Sequence, residues 1–553
     1  MPLLPFENPI GFGASDFLQL SLAAMLAGLA LIWRPWIERS GIGFAKRTAW
    51  CMLALAAAPV ILRLLLLPNH PVPTPDIYDE FGHLLVADTL LHFRLANPPQ
   101  LFSRFFETEF VLQSPSYSSI YPIGQGIMLA FGTIVFGHPW GGVLFSTAAL
   151  CALCYWMLRA WTTPAWALLG GLLAIIEFGP LCQWINSYWG GSFAAAGGCL
   201  VFGSLPRIRA CLRPKYAFLL GLGLSINLLT RPYESIFLAA SAVLYFAFQR
   251  TEWRKLRRCA VALLLTLLPA SALILLHNRQ VTGKWTTLPY ALSQYQYGVP
   301  ASLTFQSNPV PHRGLTPQQE LEYKSQIAFR NNPTETLESY LLRLEYRVRY
   351  YRFFFLPPLF VALPFFFWKL RERRFVWVFA TLTLFALGIN FFPAFQLHYL
   401  GGVTCLFVLV SVTAIERLSR FSREAAYLVI FLCIAHFAFW YTLHLFEHRD
   451  FAAALLRYET WDGLNHGDPH GRIQVDRQIV KTPGKLLIFV RYSPQHAFQN
   501  EWIYNSADIG HARVVWARDL GPVEDAKLQN YFPDRAVWLL DPDSATPELT
   551  PYR

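Results

Sequence analysis

The stretch PTPDIYDEFGHLLVADTL, Pro73–Leu90, decides how this sequence is interpreted. It follows at once on residues 48–67, an apolar run long enough to cross a bilayer, since about 20 apolar residues span the hydrocarbon core. On leaving that run, the chain presents a cluster of titratable side chains, namely Asp76, Asp79, Glu80 and His83. A membrane span followed directly by a carboxylate-bearing segment predicts a polar site at a membrane surface.

Composition indicates a polytopic membrane protein. Its 553 residues are 54% hydrophobic and only 15% charged, whereas soluble domains carry about 25% charged residues. The net charge of +11 is explained by Lys and Arg that flank membrane spans. No basic stripe is interleaved with aromatic residues in a polar segment, so nucleic acid is not an expected partner. The nine cysteines lie in or beside apolar runs and imply no disulfide framework.

The apolar runs predict a mainly α, polytopic membrane protein with about twelve transmembrane helices. The predicted spans are 17–33, 48–67, 141–158, 166–183, 188–205, 216–230, 236–249, 259–276, 353–369, 375–393, 401–415 and 425–443. A further apolar run, 121–137, is short and interrupted by glycines. We interpret it as a helix that lies at the membrane interface or re-enters within protein, because a crossing there would reverse the charge asymmetry of every later loop.

Charge then predicts the sidedness of the chain. Basic connectors belong in the cytoplasm, and they are 34–47, 206–215, 250–258, 369–374 and 416–424. Both termini and the long segments 68–140 and 277–352 are therefore expected on the outer side. The chain divides into a transmembrane module, 1–445, and a tail, 446–553. In the tail, KLLIFVRY, ARVVWARD and RAVWLLDPD have the composition of strands, which predicts a small α/β domain on the outer side.

The opening stretch predicts an amphipathic helix in which Asp76 is the N-cap and Asp79 and Glu80 occupy the first turn. Acids at a helix start are also favoured by the macrodipole alone. A functional site is favoured because further polar residues lie at the predicted outer ends of the spans. Polar side chains within the membrane are costly and are often functional. These are Glu107, Glu109, Tyr121, Asn186, Tyr188, Arg231, Glu234, His398 and Tyr399.

These features resemble the GT-C superfamily of polyprenyl-phosphate-sugar-dependent glycosyltransferases, over residues 48–440. The similar features are the Asp-Glu pair after a span, the helix opening YPIGQG after the loop, and the succession of spans. The branch with lipid A aminoarabinose transferases and relatives of protein mannosyltransferases is the most similar. This chain has an additional span before the usual first one, and YPIGQG stands where many relatives have a double proline.

The resemblance implies an enzyme that moves a hexosyl or pentosyl group from a polyprenyl-phosphate donor to an acceptor, with inversion. Asp79 matches the essential loop acid, which acts on the acceptor, and Glu80 matches its neighbour; a carboxylate of this kind can take or orient the acceptor's proton. The leaving phosphate needs a cation, because negative charge develops there. Arg231 is the first candidate, since Arg binds phosphate bidentately; His398 and Tyr399 are second candidates, and Lys284 and Arg279 are third. An alternative for Arg231 is an ion pair with Glu234 one turn away.

The remaining predicted substrate-binding residues are His83, Glu107, Glu109, Tyr121, Asn186, Tyr188 and Glu234. No cofactor is expected, because relatives in this branch mostly act without metal. The oligosaccharyltransferase branch uses one, however, and His83 and His92 could be ligands. The implied location is the bacterial inner membrane, with the site facing the periplasm. The acceptor is lipid A, a glycan or a protein. A transporter or flippase of a lipid-linked sugar and a non-catalytic envelope assembly protein are the alternative functions.

Overall fold

The computed structural model describes residues 14–249, 253–330, 335–446 and 471–552. The start of the predicted tail and part of the basic connector 250–258 lie outside the described residues. Within them the chain is mainly helical. In chain order the helices are α1 Ala14–Ile32, α2 Arg34–Ala45, α3 Thr48–Leu65, α4 Tyr78–Leu91, α5 Ile123–Phe136, α6 Pro139–Leu158, α7 Pro164–Phe178, α8 Ser192–Cys211, α9 Pro214–Thr230, α10 Pro232–Phe248, α11 Trp253–Thr282, α12 Pro289–Tyr297, α13 Pro317–Arg330, α14 Leu337–Val348, α15 Arg373–Ile389, α16 Thr404–Phe421, α17 Arg423–Leu445, α18 Arg472–Lys481 and α19 Pro522–Tyr531.

Proline sets where several of these helices begin. Helices α6, α7, α9 and α10 each carry a proline in the first helical positions. The N–H groups of the first turn have no partner inside the helix, so proline, which has no N–H group, costs no hydrogen bond there. The fixed φ of proline also favours the helical conformation. The prolines therefore mark the positions at which these four helices begin.

Five helical stretches in the described ranges are long and apolar enough to cross a membrane: Thr48–Leu65, Pro139–Leu158, Cys259–Thr282, Leu397–Phe421 and Arg423–Leu445. A sixth is possible from Gln19–Ile32 and Arg34–Ala45, which meet at an 87° bend. Residues 34–45, predicted as a connector, are thus the helix α2. Three shorter apolar helices are α5, α7 and α10. The figure of twelve crossings stays a prediction, as does the interfacial position of α5.

The predicted transmembrane helix 353–369 is wrong as an α-helix. This stretch consists of 3₁₀ segments at Arg349–Phe354, Pro357–Val361 and Leu363–Arg371. Pro357, Pro358 and Pro364 explain the difference, because each lacks the N–H that an α-helix needs and its ring clashes with the preceding turn.

A close approach of two backbones places the segment Leu397–Val403 beside α8. A Cβ atom built on Gly198 would lie 2.0 Å from the carbonyl oxygen of Gly402. Only glycine at position 198 permits this contact, because any side chain would overlap the neighbouring backbone. The consequence is that His398 and Tyr399, at the start of this segment, are held at the end of the helical bundle near the N-terminus of α8.

The C-terminal part, 471–552, contains a four-stranded sheet in the order β4-β3-β5-β6. The strands are β3 Lys485–Val490, β4 Val514–Arg518, β5 Arg535–Leu540 and β6 Leu549–Pro551, while β1 Val111–Leu112 and β2 Ser118–Ser119 form a small hairpin in the first long loop. Strand β3 is parallel to β4 and β5, and β6 is antiparallel to β5. The three strands predicted in the tail are confirmed.

This sheet shares one of its cores with the first long loop. Leu487 and Phe489 on one face of β3 pack in the same buried cluster as Leu85 of α4 and Phe105 and Tyr117 of the loop. The other face of the sheet packs against a separate cluster with Val475 and Trp502. Both faces of β3 are therefore buried, as is usual for a central parallel strand. Helix α4 and the C-terminal sheet thereby contribute to one buried core.

Candidate functional site

Glu80, rather than Asp76, completes the N-terminus of α4. The N-cap is Ile77, so the predicted capping role of Asp76 is wrong. The Glu80 carboxylate lies at the third helical position, where it accepts hydrogen bonds from the backbone N–H groups of Asp76 at 2.8 Å and Ile77 at 3.4 Å. Ile77 has no polar side chain with which to cap the helix, so the acid at N3 satisfies these donors instead.

Glu80 also fixes the loop that follows α7. Its second carboxylate oxygen accepts a hydrogen bond from the backbone N–H of Tyr188 at 2.8 Å. The Tyr188 hydroxyl in turn donates to the carbonyl oxygen of Pro73 at 2.8 Å. Glu80 is 5% exposed, and burial raises its pKa while these N–H donors oppose the shift. All three observed contacts of its carboxylate are to backbone, so they support a positioning role. The catalytic role predicted for Glu80 stays a prediction.

Asp79, the neighbouring acid, has a different environment. Its carboxylate accepts a hydrogen bond from the hydroxyl of Tyr121. The Tyr121 ring reaches this place because position 82 is glycine: a Cβ there would lie 2.6 Å from the ring carbons. Tyr121 precedes α5, so the helix that opens with YPIGQG brings a hydrogen-bond donor to the acid of the first loop. The structure thus joins two of the predicted site residues.

The charge state of Asp79 is strongly perturbed. Burial raises its pKa to about 8, Arg231 opposes this shift, and Glu322 and Glu80 add to it. Desolvation disfavours the carboxylate, and like charges nearby have the same effect, whereas a cation favours it. A carboxyl group that titrates close to neutral pH can take a proton and return it, which is the requirement for a general base.

Arg231 is the cation whose charge lowers the pKa of Asp79. Its guanidinium lies over the ring of Tyr399, with 4.7 Å between the guanidinium carbon and the ring centroid. In the described part of the chain it has no hydrogen-bond acceptor and no acidic partner within 4.0 Å. The predicted alternative, an ion pair with Glu234, is therefore not formed, although the two residues interact electrostatically at longer range. A guanidinium that has no acceptor among the described residues is suited to an anionic ligand.

Two histidines complete this cluster. His83 lies one turn after Asp79 and packs on Tyr121 with 4.5 Å between ring centroids. It is 4% exposed, and its Nδ1 has no hydrogen-bond partner in the described part of the protein. Burial and the charge of Arg231 lower the pKa of His83 to about 3, so it is neutral. His398 packs on Trp189 at 4.8 Å and interacts electrostatically with Arg231 and His83.

Glu109 and Glu322 interact electrostatically with each other, and Glu322 also acts on Asp79. Glu109 is 1% exposed, and neither of its carboxylate oxygens has a hydrogen-bond partner among the described residues. Burial and the neighbouring charges of Glu322 and Glu501 raise its pKa well above the ordinary value, while Arg518 opposes the shift. Burial raises the pKa of Glu322 to about 7. Both groups therefore hold protons more readily than exposed carboxylates do, and they can donate as well as accept hydrogen bonds.

Other predicted site residues are engaged elsewhere. Glu107 is buried in ion pairs with Arg104 at 2.7 Å and Arg313 at 2.8 Å. The Asn186 side chain accepts a hydrogen bond from Arg63 at 2.6 Å and donates to two backbone carbonyl groups. Lys284 is exposed and is not among the charges that act on Asp79. These three residues are not brought to Asp79 by any contact seen here.

Three residues near the acid were not predicted: Glu322 of α13, Tyr290 of α12 and Tyr504 of the C-terminal part. The last two interact electrostatically with Asp79, and Glu322 raises its pKa. Two of them belong to the loop 277–352 and one to the segment 446–553. No local pattern shows which residue of a long segment faces a site more than 200 residues earlier in the chain.

A metal centre was considered for His83 and His92. His92 is exposed and its Nδ1 interacts with Asp88, the carboxylate lying 3.5 Å away, so it belongs to the end of α4 distant from Asp79. Across the residues that the structure describes, no group of three or more His, Cys, Asp or Glu side chains is arranged to hold a metal ion.

Comparisons with known proteins identify the fold. No protein-family model matches the sequence, and no curated protein matches it. Among solved structures, ArnT from Cupriavidus metallidurans in the apo state is similar, with a TM-score of 0.51 and 13% identity, covering 90% of this chain and 93% of that chain. ArnT bound to undecaprenyl phosphate has a TM-score of 0.49, 11% identity, and covers 89% and 93% of the two chains.

The Archaeoglobus fulgidus oligosaccharyltransferase in complex with zinc and sulfate is also similar, with a TM-score of 0.45 and 11% identity over 89% of this chain and 67% of that chain. At such identities a structural likeness establishes the fold alone. The chain therefore has the fold of ArnT, which is the GT-C fold that the resemblance of its sequence implied.

Proposed function

We propose that this protein is a membrane glycosyltransferase that transfers a sugar from a polyprenyl-phosphate donor to an acceptor. One observation carries the proposal: the Asp79 carboxylate lies in the field of Arg231, a cation without a protein acid or acceptor of its own in the described chain. A base and an unclaimed cation in one electrostatic cluster are the two parts that this transfer needs. ArnT itself has been solved with undecaprenyl phosphate, and we propose a donor lipid of that class.

Asp79 acts on the acceptor in this proposal. As the acceptor oxygen or nitrogen attacks the anomeric carbon, Asp79 takes its proton, and the bond from that carbon to the phosphate oxygen breaks with inversion. The hydroxyl of Tyr121 donates to the same carboxylate and orients it. A pKa of about 8 places the group near an operating pH, where a general base is most effective.

Arg231 receives the leaving group. Breaking the anomeric bond leaves a second negative charge on the polyprenyl phosphate, and a guanidinium can bind two phosphate oxygens at once. Tyr399, stacked against Arg231 at 4.7 Å, holds the guanidinium plane without neutralising its charge. A cation already in place when charge develops costs no reorganisation at that moment.

The sugar is expected between these groups. His83, with an unpartnered Nδ1 in the described chain, and Glu109, with two unpartnered carboxylate oxygens, are the polar groups available for its hydroxyl groups. Glu322 extends the same side of the site. Leaving such groups without a partner is costly in a buried place, so a bound substrate that satisfies them gains affinity and orientation.

We place the site on the periplasmic side of the bacterial inner membrane. This location is supported by the connectors predicted on the other side of the membrane from the Asp79 loop, which are rich in Lys and Arg. Cytoplasmic loops are enriched in these residues. The acceptor is a lipid, a glycan or a protein, and the assay below is designed to work without a decision between them.

The test compares purified wild type, Asp79→Asn, Arg231→Gln and Arg279→Gln in matched detergent. Arg279 is an exposed arginine outside the cluster and is the control. Each variant is given a panel of polyprenyl-phosphate sugars with a mixed envelope extract, and released polyprenyl phosphate is measured. We expect release by wild type and Arg279→Gln, and loss of release in the other two. No release by wild type from any donor, or equal release by Asp79→Asn, would overturn the proposal.

A further inference from the structure

Helix α4 has two faces, and the C-terminal part of the chain covers the one that does not carry Asp79. Asp79 and His83, one turn apart, are on the face that meets Tyr121. Phe81, Leu85 and Asp88 recur at helical spacing on the opposite face. Leu85 is buried in a cluster formed largely by residues of the C-terminal part, so that part packs against the back of the helix that bears the acid.

Phe81 is the residue of α4 that the C-terminal part holds most specifically. The ring of Tyr504 is stacked on it with 4.4 Å between centroids and 3° between ring planes. The guanidinium carbon of Arg472 lies 4.9 Å from the Phe81 centroid and 4.4 Å from that of Trp502. Phe81 is thus in contact with one flat aromatic ring and one buried cation, both of which favour a defined ring orientation.

Tyr504 and Arg472, the two residues that contact Phe81, each donate a hydrogen bond to a backbone carbonyl oxygen. The Tyr504 hydroxyl donates to the carbonyl oxygen of Glu109 at 3.3 Å. Arg472, which is 6% exposed, donates to the carbonyl oxygen of Glu501 at 2.7 Å. The next turn of α4 is tied as well, because the Asp88 carboxylate accepts from the backbone N–H of Ala507 at 2.6 Å. The back of α4 is therefore attached along two turns.

These contacts bear on the acid because a helix moves as a unit. Phe81 lies two residues from Asp79, so a rotation or shift of α4 that breaks the stack also moves the carboxylate relative to Tyr121 and Arg231. Tyr504 is close enough to Asp79 for the two to interact electrostatically. On the front face the helix is fixed at Glu80, through the Tyr188 N–H, and on the back face it is fixed at Phe81.

We propose that Tyr504 and Arg472 are positioning residues of the transfer reaction: by holding Phe81 they keep the Asp79 carboxylate against the Tyr121 hydroxyl and beside Arg231. This inference depends on the proposed function for its kinetic consequence. The contacts on which it is built do not depend on that function, so they can be tested separately.

The kinetic test uses Tyr504→Leu, Tyr504→Phe and a matched control, Tyr552→Leu. Tyr552 also makes one ring contact, to Phe489 at 4.9 Å, and one hydroxyl hydrogen bond, to Asp525 at 2.7 Å, and neither of these partners belongs to α4. We expect Tyr504→Leu to lower kcat by about 10- to 100-fold with little change in KM for the donor, because small misplacements of a reacting group are costly. Tyr504→Phe, which keeps the stack, should restore most of kcat.

A second measurement does not require turnover. Amide hydrogen exchange is followed over residues 78–91 in the full chain in detergent. We expect faster exchange there in Tyr504→Leu than in wild type, and no such change in Tyr552→Leu. Arg472→Gln, which keeps the Tyr504 stack, provides an independent variant if Tyr504→Leu does not fold, and it should show the same two effects to a smaller extent.

Three results would overturn the positioning role. They are equal exchange over α4 in Tyr504→Leu and Tyr552→Leu, a loosened α4 with unchanged kcat, and an equal loss of kcat in both variants. If wild type releases no polyprenyl phosphate at all, the proposed function fails. The exchange data would then still decide whether the C-terminal part holds α4.

Discussion

Replacing Tyr121 by Phe removes one hydroxyl from the site and keeps the ring. The ring packs over Gly82 and against His83, so the helix contacts of Tyr121 persist in the variant. What is lost is the hydrogen bond to the Asp79 carboxylate. A hydrogen bond to a charged group contributes about 1.5–3 kcal/mol, and one pH unit in a pKa corresponds to about 1.4 kcal/mol. Because the bond favours the charged form, its loss should raise the pKa of Asp79 further.

The expected result is a displaced pH profile. If Asp79 acts as the base, kcat/KM rises with pH through its pKa, which is about 8 in the native protein. In Tyr121→Phe the midpoint of this rise should move up by about 1 to 2 pH units. The defect is then about 10- to 100-fold at pH 7 and becomes small above the new midpoint, since the same base is fully ionised there.

The assay measures kcat/KM for polyprenyl-phosphate release between pH 6 and 10. Tyr117→Phe is the control, since Tyr117 is a buried tyrosine of the same loop whose hydroxyl donates to the carbonyl oxygen of Asn505 at 3.0 Å. It should leave the midpoint in place. A Tyr121→Phe profile that is lowered equally at every pH, or whose midpoint moves down, would refute the assignment of the acid limb to Asp79.

Arg231→Gln should lower kcat/KM for the donor by about 10²–10³-fold, because the leaving phosphate loses its cationic partner, and truncating one member of a hydrogen-bonded charge pair costs about 2–5 kcal/mol. Arg231→Lys should be intermediate, and Arg279→Gln should be near wild type. Glu322→Gln removes a charge that raises the pKa of Asp79, so the acid limb of the rate profile should move to lower pH; an upward move would contradict this account. Asp79→Asn should raise the apparent melting temperature, and the increase should grow as pH rises from about 4 to 8. Over that range Asp79 keeps its proton in the folded protein but has released it in the unfolded chain. The stability of wild type therefore falls with pH, whereas the stability of the Asp79→Asn variant does not. Glu80→Ala should lower the free energy of unfolding at every pH, by about 1–3 kcal/mol for each backbone donor left unpaired, and the melting temperature should fall with it. Glu80→Gln should have a smaller effect, and melting curves in detergent separate the two variants.

Much of the helical architecture was predictable, because an apolar run of sufficient length has few alternatives in a membrane. The errors lie where backbone chemistry overrides hydropathy. Residues 353–369 are apolar enough for a span, yet three prolines leave a series of 3₁₀ turns. Asp76 has the residue type of an N-cap, but the helix begins two residues later and Glu80 satisfies the first donors.

The candidate site was predicted only in its principal members. Asp79 and Arg231 were chosen from their positions at the ends of apolar runs, and the fold brings them into one electrostatic cluster. The roles of Glu80 and Asn186 could not be read in this way, because their partners are a backbone N–H 108 residues away and a guanidinium 123 residues away. A polar side chain at the outer end of a span has the same local pattern whether it contacts a substrate or another loop.

The sequence alone determined that this chain is a helical membrane protein whose first long loop carries an acid, because hydropathy and charge can be evaluated locally along the chain. The tertiary structure alone decided which acid stays free of backbone contacts, which cation acts on it, and that the C-terminal part of the chain packs behind the helix that holds it. The bond between Asp88 and the N–H of Ala507 joins residues 419 positions apart. Contacts of this kind depend on how separate segments pack, and no local pattern in a sequence encodes them.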